Sequence, residues 1–520
     1  MAAGWDRVVR TGGGLREAVE RLLIAPSRGL LMGLPARGGA RGVAGRHRWL
    51  VVVVAAGAVL RVVAMAGYRP ALWFPDSYTY VVTAMRPRPD LVRPAGYSMF
   101  LRLLEPFHSF GFVVLVQHLL GLATGVLVYA AVLRLRGRRG VAALAAAPVL
   151  LDAYQVELEH LLVSDTLFMF LVVAAVFVAM GPLTWRTACA AGLLLATATL
   201  TRTVGLPLIA VVAAWLLVRH VSRRLAARRS GTALTGGPRL VGVLAVVALL
   251  PIAGYAAWFS STYHRFGIVG SNGVFLYART MSFADCGVMR PPADLAVLCD
   301  ATPPSRRPPS QEYVWDAGSP LVALPGITFT AETDRLAGRF AFLALRSQPV
   351  DYAASVLSEL ARSFTWGRPV YPDQQIYDHY EFPAATPPPP DRDPATAGAR
   401  FAVRYERGPI GTRVAEPFAG WMRAYQNVVR LPGTVLLALL LVPPVVAAVR
   451  RRRGGRTEAS WALPWVTSVS LLVIPAATAE FDYRYVLPAV PLACLAAALM
   501  TTGRTDQSEM PLPANSVNFK

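Results

Sequence analysis

Lysine is nearly missing from this 520-residue chain: of its 52 basic residues a single one, Lys520, is not arginine. Acids are few as well, 31 in all, which leaves a formal net charge of +21 and a pI near 10.5. Charged residues make up only 16% of the chain against 54% hydrophobic ones, and the mean hydropathy is +0.42. A soluble globular class is excluded by that balance, and an integral membrane protein with several spans is implied. Cysteine is scarce, four residues in all, with no CxxC pair, no HExxH and no Cys/His cluster, so no metal ligand set can be read. No continuous apolar core with a small-residue cleavage site stands in the first 48 residues, which read as an Arg-dotted cytoplasmic tail.

A charge of +21 on a soluble protein would raise the question of nucleic acid. Its placement decides against that partner. The arginines cluster in short segments between apolar runs, "RLRGRR" at 134–139, "RHVSRRLAARR" at 219–229 and "RRRRGGR" at 450–456, as the positive-inside rule requires of cytoplasmic loops. Read against these clusters, the apolar runs predict ten spans: 49–68, 111–133, 141–153, 161–180, 186–203, 204–220, 239–258, 431–449, 461–479 and 485–502. The expected class is an all-α, multi-pass cell-membrane protein with both termini cytoplasmic, a core at 49–258, closing spans at 431–503 and a tail at 504–520.

Two exoplasmic segments are long. The first, 69–110, holds "PDSYTYVVTAM" and "RPAGYSMFLRLL", which read as short interfacial helices. The second, 259–430, is large enough for a small domain, with a Pro-rich stretch near 372–400 that reads as an extended linker. It contains Cys286 and Cys299, expected to form a disulfide in an oxidising compartment, whereas Cys189 and Cys494 fall inside spans.

Polar residues that a membrane resists converge on the exoplasmic side. They are Asp76, Glu157 to Asp165, Thr201 with Arg202, and Asp482 with Arg484 and Tyr485. If 157–165 is one helix, Glu157, His160 and Ser164 share a face with Asp165 at its edge, while Glu159 points away and, like Asp152, takes a solvated place. Asp76 could instead cap the helix that follows it. Arginines at such a depth suit bidentate capture of a lipid phosphate.

Asp76 in the first loop, "RPAGYSMFL" after it, "LLVSDTLF", "LATATLTRTVGLPL" and "DYRYVLPAVPL" together resemble the GT-C membrane glycosyltransferases. Nearest in pattern are the bacterial protein mannosyltransferase-like, aminoarabinose transferase-like and lipopolysaccharide-core transferase-like branches. The resemblance covers about 49–220 and 431–500. It implies a polyprenyl-phosphate sugar donor, transfer to an exoplasmic hydroxyl of a protein, glycan, lipid or peptide, and an acid in the first exoplasmic loop near the reaction centre, matched here by Asp76. The chain departs from the pattern at Ser77, where protein mannosyltransferases often carry a second acid, and at Asp165, where many relatives read Glu.

On this reading Asp76 is the general base of an inverting transfer. Arg202, Arg484 and Arg93, with Tyr485, hold the donor phosphate, and Glu157, His160, Ser164 and Asp165 line the sugar or acceptor pocket. No cofactor is required by the residues, and a divalent cation, used by some relatives, is left open. A lipid or polyprenyl-phosphate-sugar transporter or flippase and a non-enzymatic cell-envelope assembly factor stand as competing readings, since buried polar residues serve carriers too.

Overall fold

A computed structural model of the chain describes residues 45–135, 137–229, 237–386, 393–454 and 459–501. The described residues fall into two units, divided between Val52 and Val53. In the first, the described residues open a helix in which Val51 N donates to His47 O. Both expected tails fall outside the described residues, the first as far as residue 44 and the second over 504–520.

In chain order the principal helices are α1 (Arg48–Gly67), α2 (Pro75–Met85), α3 (Gly96–Leu104), α4 (Phe110–Arg134), α5 (Arg139–Leu151), α6 (Ala153–His160), α7 (Asp165–Ala179), α8 (Trp185–Thr201), α9 (Gly205–Arg229) and α10 (Gly237–Tyr263). After them come α11 (Asn272–Thr280), α12 (Ala331–Ser347), α13 (Pro349–Arg362), α14 (Asp393–Glu406), α15 (Phe418–Val428), α16 (Gly433–Arg452), α17 (Ala462–Thr478), α18 (Tyr483–Val486) and α19 (Val490–Thr501). Among the described residues, seven stretches are long and apolar enough to cross a membrane: α1, α4, Gly205–Leu225 of α9, α10, α16, Ala459–Thr478 and Tyr483–Thr501. An eighth arises if α5 and α6, bent by 50° at their junction, form one broken span. The protein is a helical multi-pass membrane protein, and its described strands are one antiparallel pair, β1 (Tyr68–Arg69) with β2 (Arg413–Val414).

Each of the ten expected spans has a helix, but those at 141–153, 161–180 and 186–203 differ in form. The first becomes the bent pair α5 and α6, and the other two are the 15-residue α7 and the 17-residue α8. An apolar sequence on all sides lets α7 sit in the interior, where most of its residues are buried. Its two ends are chemically distinct. Arg219 Nη1 donates to the carbonyls of Ala179, Met180 and Gly181 at the C-terminal end, and Arg134 Nη1 donates to Phe177 O there. Asp165 marks the other end.

The break between α5 and α6 explains acids that the sequence placed in water. Pro148 weakens the last turn of α5, and the Asp152 side chain caps α6 by accepting from Tyr154 N and Gln155 N. Leu431 N donates to its second oxygen at 2.6 Å. Arg61 Nη1 donates to Leu150 O at 2.9 Å, and the same guanidinium grips both oxygens of Glu159 at 2.7 Å. Glu159 also contacts His118 Nδ1 at 3.0 Å, and His118 Nε2 meets His160 Nδ1 at 3.1 Å. His160 Nε2 donates to Tyr68 O at 2.7 Å. Gly121 makes room for this ladder, because a Cβ there would stand 1.9 Å from Glu159 Oε1.

The expected solvated places for Asp152 and Glu159 are therefore wrong: both are buried, one as a cap and one in a bidentate ion pair. Nor is 157–165 a single helix. It breaks at Leu161, which bridges Leu72 in parallel fashion, and restarts at Asp165.

The long segment after α10 has a core of its own in its first part. Val274, Tyr277, Phe340, Ala341 and their neighbours pack together, and Cys286 is bonded to Cys299 with Cα atoms 6.1 Å apart. Farther on the chain returns to the first loop. Tyr380, Phe382 and Met422 share a cluster with Tyr68, Phe74 and Tyr483, while Ala402 and Tyr405 of α14 pack with Tyr80, Tyr97 and Phe110. The stretch expected as a linker is thus packed on both sides of 387–392, which lie outside the described residues.

Replacing Glu159 with Ala leaves the Arg61 guanidinium buried without its counter-charge, at an expected cost of about 3–5 kcal/mol. Thermal unfolding in detergent should show that loss, and the double change Arg61→Met with Glu159→Leu should recover most of it.

Candidate functional site

Helix α2 begins after Phe74 with Pro75 at its first position, so Asp76 stands in the first turn rather than at the cap, and Ser77 Oγ takes the capping bond from Phe74 N. The Asp76 carboxylate is free to turn sideways. Arg93 binds its Oδ1, and Arg484 Nη1 donates to its Oδ2 at 3.0 Å across 408 residues of chain. Arg484 Nε also donates to Asp482 Oδ2 at 3.0 Å. Burial alone would raise the Asp76 carboxyl, but the Arg93 and Arg484 guanidiniums outweigh it and hold the group well below the usual carboxylate range.

One helical turn along α2, the Tyr80 hydroxyl donates to Ser164 Oγ at 3.1 Å. Ser164 precedes Asp165, whose Oδ1 is bound by Arg202 from the end of α8. Asp165 Oδ2 and the Thr166 hydroxyl are buried and without a hydrogen-bond partner among the described residues. Burial, with Asp76 nearby, pushes the Tyr80 phenol up to about 12, so it remains a neutral donor.

The Tyr485 ring has two guanidiniums near it, that of Arg202 at 4.8 Å and that of Arg484 at 5.3 Å. Arg484 also lies 4.5 Å from the Phe74 ring, which stacks on Tyr380. Three acids, Asp76, Asp165 and Asp482, thus meet three arginines, Arg93, Arg202 and Arg484, in a charge-balanced centre. Gly96 lets the first loop approach α8: a Cβ there would stand 2.3 Å from Leu200 O.

Of the residues expected at a site, the structure gathers Asp76, Arg93, Ser164, Asp165, Arg202, Arg484 and Tyr485. Two expected pocket residues go elsewhere. His160 belongs to the Glu159 ladder, and its ring nitrogens are taken by His118 and Tyr68 O. Glu157 faces the charges of Arg368 and Glu381, with Arg368 seated 3.3 Å from the Tyr154 ring and 4.2 Å from that of Tyr483. The reason is the chain break at Leu161: α7 starts anew at Asp165, so residues 157–160 and 164–165 do not share one helical face. Sequence reasoning passed over Tyr80, Phe74 and Tyr380. Tyr80 was legible as the residue four after Asp76 on a helix, whereas nothing local marks Tyr380. Among the described residues no group of three or more His, Cys, Asp or Glu is placed to hold a metal ion.

Beside Asp482 and Tyr485 lies a small crevice lined by Glu359, Ser363, Leu471, Leu472, Pro475 and Glu480. Glu359 Oε2 accepts from Phe481 N at 2.8 Å and from the Tyr371 hydroxyl at 3.2 Å. Burial first, and the facing Glu359 carboxylate second, push the Glu480 carboxyl up to about 8.

No protein-family model matches the chain, and no curated protein matches it. A solved structure similar to it is the S. cerevisiae protein O-mannosyltransferase Pmt1-Pmt2 complex bound to the sugar donor, at 18% identity over 46% of this chain with a TM-score of 0.33. The chain spans 36% of the length of that solved chain.

The folded chain keeps a proton on Glu480 that the unfolded chain releases at the ordinary 4.5. Its stabilising contribution is therefore full below about 4.5 and is lost as pH rises toward and through about 8. Unfolding temperatures measured between pH 5 and 8 should fall with pH for the native chain. The slope should flatten in Glu480→Gln, and an unchanged slope would refute the assignment.

Proposed function

We propose that the chain is a membrane glycosyltransferase of the GT-C kind, which moves a sugar from a polyprenyl-phosphate carrier to an acceptor hydroxyl. The observation that carries this reading is the Asp76 carboxylate held between Arg93 and Arg484, with Arg202 and Arg484 both against the Tyr485 ring. Arg134 and Arg219 lie at the far end of α7 from Asp165, so on the positive-inside rule the centre opens toward the exoplasmic face.

The charge balance gives the reading a mechanism. A phosphodiester entering a neutral centre adds one negative charge, and the guanidiniums able to turn to it are Arg484 and Arg202, both beside the Tyr485 ring. As Arg484 swings toward the phosphate it loosens its bond to Asp76. The carboxylate, left with Arg93, becomes a stronger base when the donor is in place. It then takes the proton of the acceptor hydroxyl as that oxygen bonds to the anomeric carbon, and the bond from that carbon to the phosphate oxygen breaks with its electron pair leaving on the phosphate. A phosphate leaves readily, so one carboxylate suffices, in contrast to the paired acids of glycoside hydrolysis. Asp165 Oδ2, buried and unpartnered among the described residues, is suited to accept from a sugar hydroxyl.

The test is transfer by the purified chain in nanodiscs, with a panel of polyprenyl-phosphate hexoses and pentoses and hydroxyl acceptors. Asp76→Asn is expected to lower kcat by about 10²- to 10⁴-fold, and Arg484→Gln to raise the donor KM as well. Full activity of Asp76→Asn would remove the base. Carrier movement across the bilayer without transfer would favour a flippase.

A further inference from the structure

Helix α13 is amphipathic in the inverted sense. Its inward side carries Tyr352, Ser355, Glu359 and, one residue beyond, Ser363. The Tyr352 hydroxyl donates to Ala477 O at 3.0 Å, Ser355 Oγ accepts from Arg279 Nη2 at 3.0 Å, and Glu359 Oε2 accepts from Phe481 N at 2.8 Å. The opposite side carries Val350, Ala353, Ala354, Leu357 and Ala361, all exposed, with Val350 77% and Leu357 65% accessible. At 100° per residue these five fall within an arc of about 100°. The exposed Asp351 and Ser358 lie at its border. A soluble domain turns such a helix the other way, polar side out.

The place of α13 supplies the reason. Ser363, at its C-terminal end, reaches into the crevice lined by Leu471, Leu472 and Pro475 of α17, so this end lies alongside the last two turns of a membrane-length helix. The following residues meet a second one: Gly433 N, at the first position of α16, donates to Thr365 O at 2.9 Å. The C-terminal part of α13 thus lies at the level where these two spans end, Glu359 at Phe481 just past α17 and Thr365 at the first residue of α16. Trp366, 67% exposed, follows at once, an aromatic of the type that anchors at the membrane interface.

We infer that α13 lies in the membrane interface on the Asp76 side, with Val350, Ala353, Ala354, Leu357 and Ala361 seated in the acyl region of that leaflet. The occupant is bilayer lipid, because the helix is held by its polar side against the ends of two membrane-length helices, which leaves the apolar face outward beside them with Trp366 at the same end. This segment, expected in the aqueous exoplasmic domain, then forms a shelf in the bilayer. Its inward side holds Phe481, three residues before Arg484, so the lipid-seated helix and the ionic centre are one piece. The inference does not depend on the transferase reading, and its test needs no activity.

Single nitroxide labels at Val350→Cys, Ala354→Cys, Leu357→Cys and, as the border control, Asp351→Cys, in a Cys189→Ala background, would be read on the full chain in phosphatidylglycerol nanodiscs. Collision with oxygen relative to a water-soluble nickel complex is expected to be several-fold higher at 350, 354 and 357 than at 351. Equal nickel access at 351 and 357 would overturn the inference. So would spin–spin broadening at 357 that disappears on dilution with unlabelled chain, since the face would then be covered by a second copy. Where one label prevents folding, the same comparison with 351 is made at the other two apolar positions, and equal nickel access there overturns the inference in the same way.

Discussion

The contact between Arg484 and Asp76 ties the last membrane span to the first loop, and much of the architecture serves to make it possible. Two charges drawn from 408 residues apart meet in a buried setting, where either one alone would be costly. Each is therefore given a second partner, Arg93 for Asp76 and Asp482 for Arg484. The pairing works because four separate parts of the chain end at the same level: α2, the turn into α7, the end of α8 and the start of α18. Close backbone approach at Gly96, and the Phe74 and Tyr485 rings against the guanidiniums, fix those ends laterally.

A second buried pair holds the scaffold beneath this centre. Arg61 and Glu159 join α1 to the bend between α5 and α6, and the two histidines carry that bond on to Tyr68 at the root of the first loop. The two ion systems use similar residues for different ends. In the scaffold, Arg61 and Glu159 meet in a closed bidentate grip, and in the other centre Arg93, Asp76, Arg484 and Asp482 alternate, with Arg202 and Asp165 as a separate pair. Buried ion pairs contribute little net stability against apolar packing, so geometry is the stronger reason for both.

Much of the membrane plan was legible because it depends on apolar runs and arginine placement, two features that need no tertiary information. Asp76, Arg202 and Arg484 stood out for the same reason, as charges at depths where charge is expensive. Helical spacing failed at Leu161, since a four-residue break (161–164) followed by a new helix start leaves no strong local mark in an apolar sequence. Spacing on that account groups Glu157 and His160 with Ser164 and Asp165, and it leaves Glu159 in water because its partner Arg61 lies 98 residues away. Tyr380 was illegible, because only the return of the chain over the first loop brings it to Phe74. The inverted face of α13 was written in its sequence all along, but which side was inward could be told only from α16 and α17.

The short length of α7 sets a depth. Its 15 residues rise about 22 Å, less than the roughly 30 Å of a bilayer's hydrocarbon core. With one end tied to Arg134 and Arg219 and the other ending in Asp165, the helix cannot span that thickness unaided. Either the bilayer thins over the ionic centre or the centre lies sunk about a turn and a half of helix below the hydrocarbon boundary. In both cases water and lipid headgroups must come down to the protein, and a reactant carried on a membrane lipid would meet these charges without leaving its leaflet.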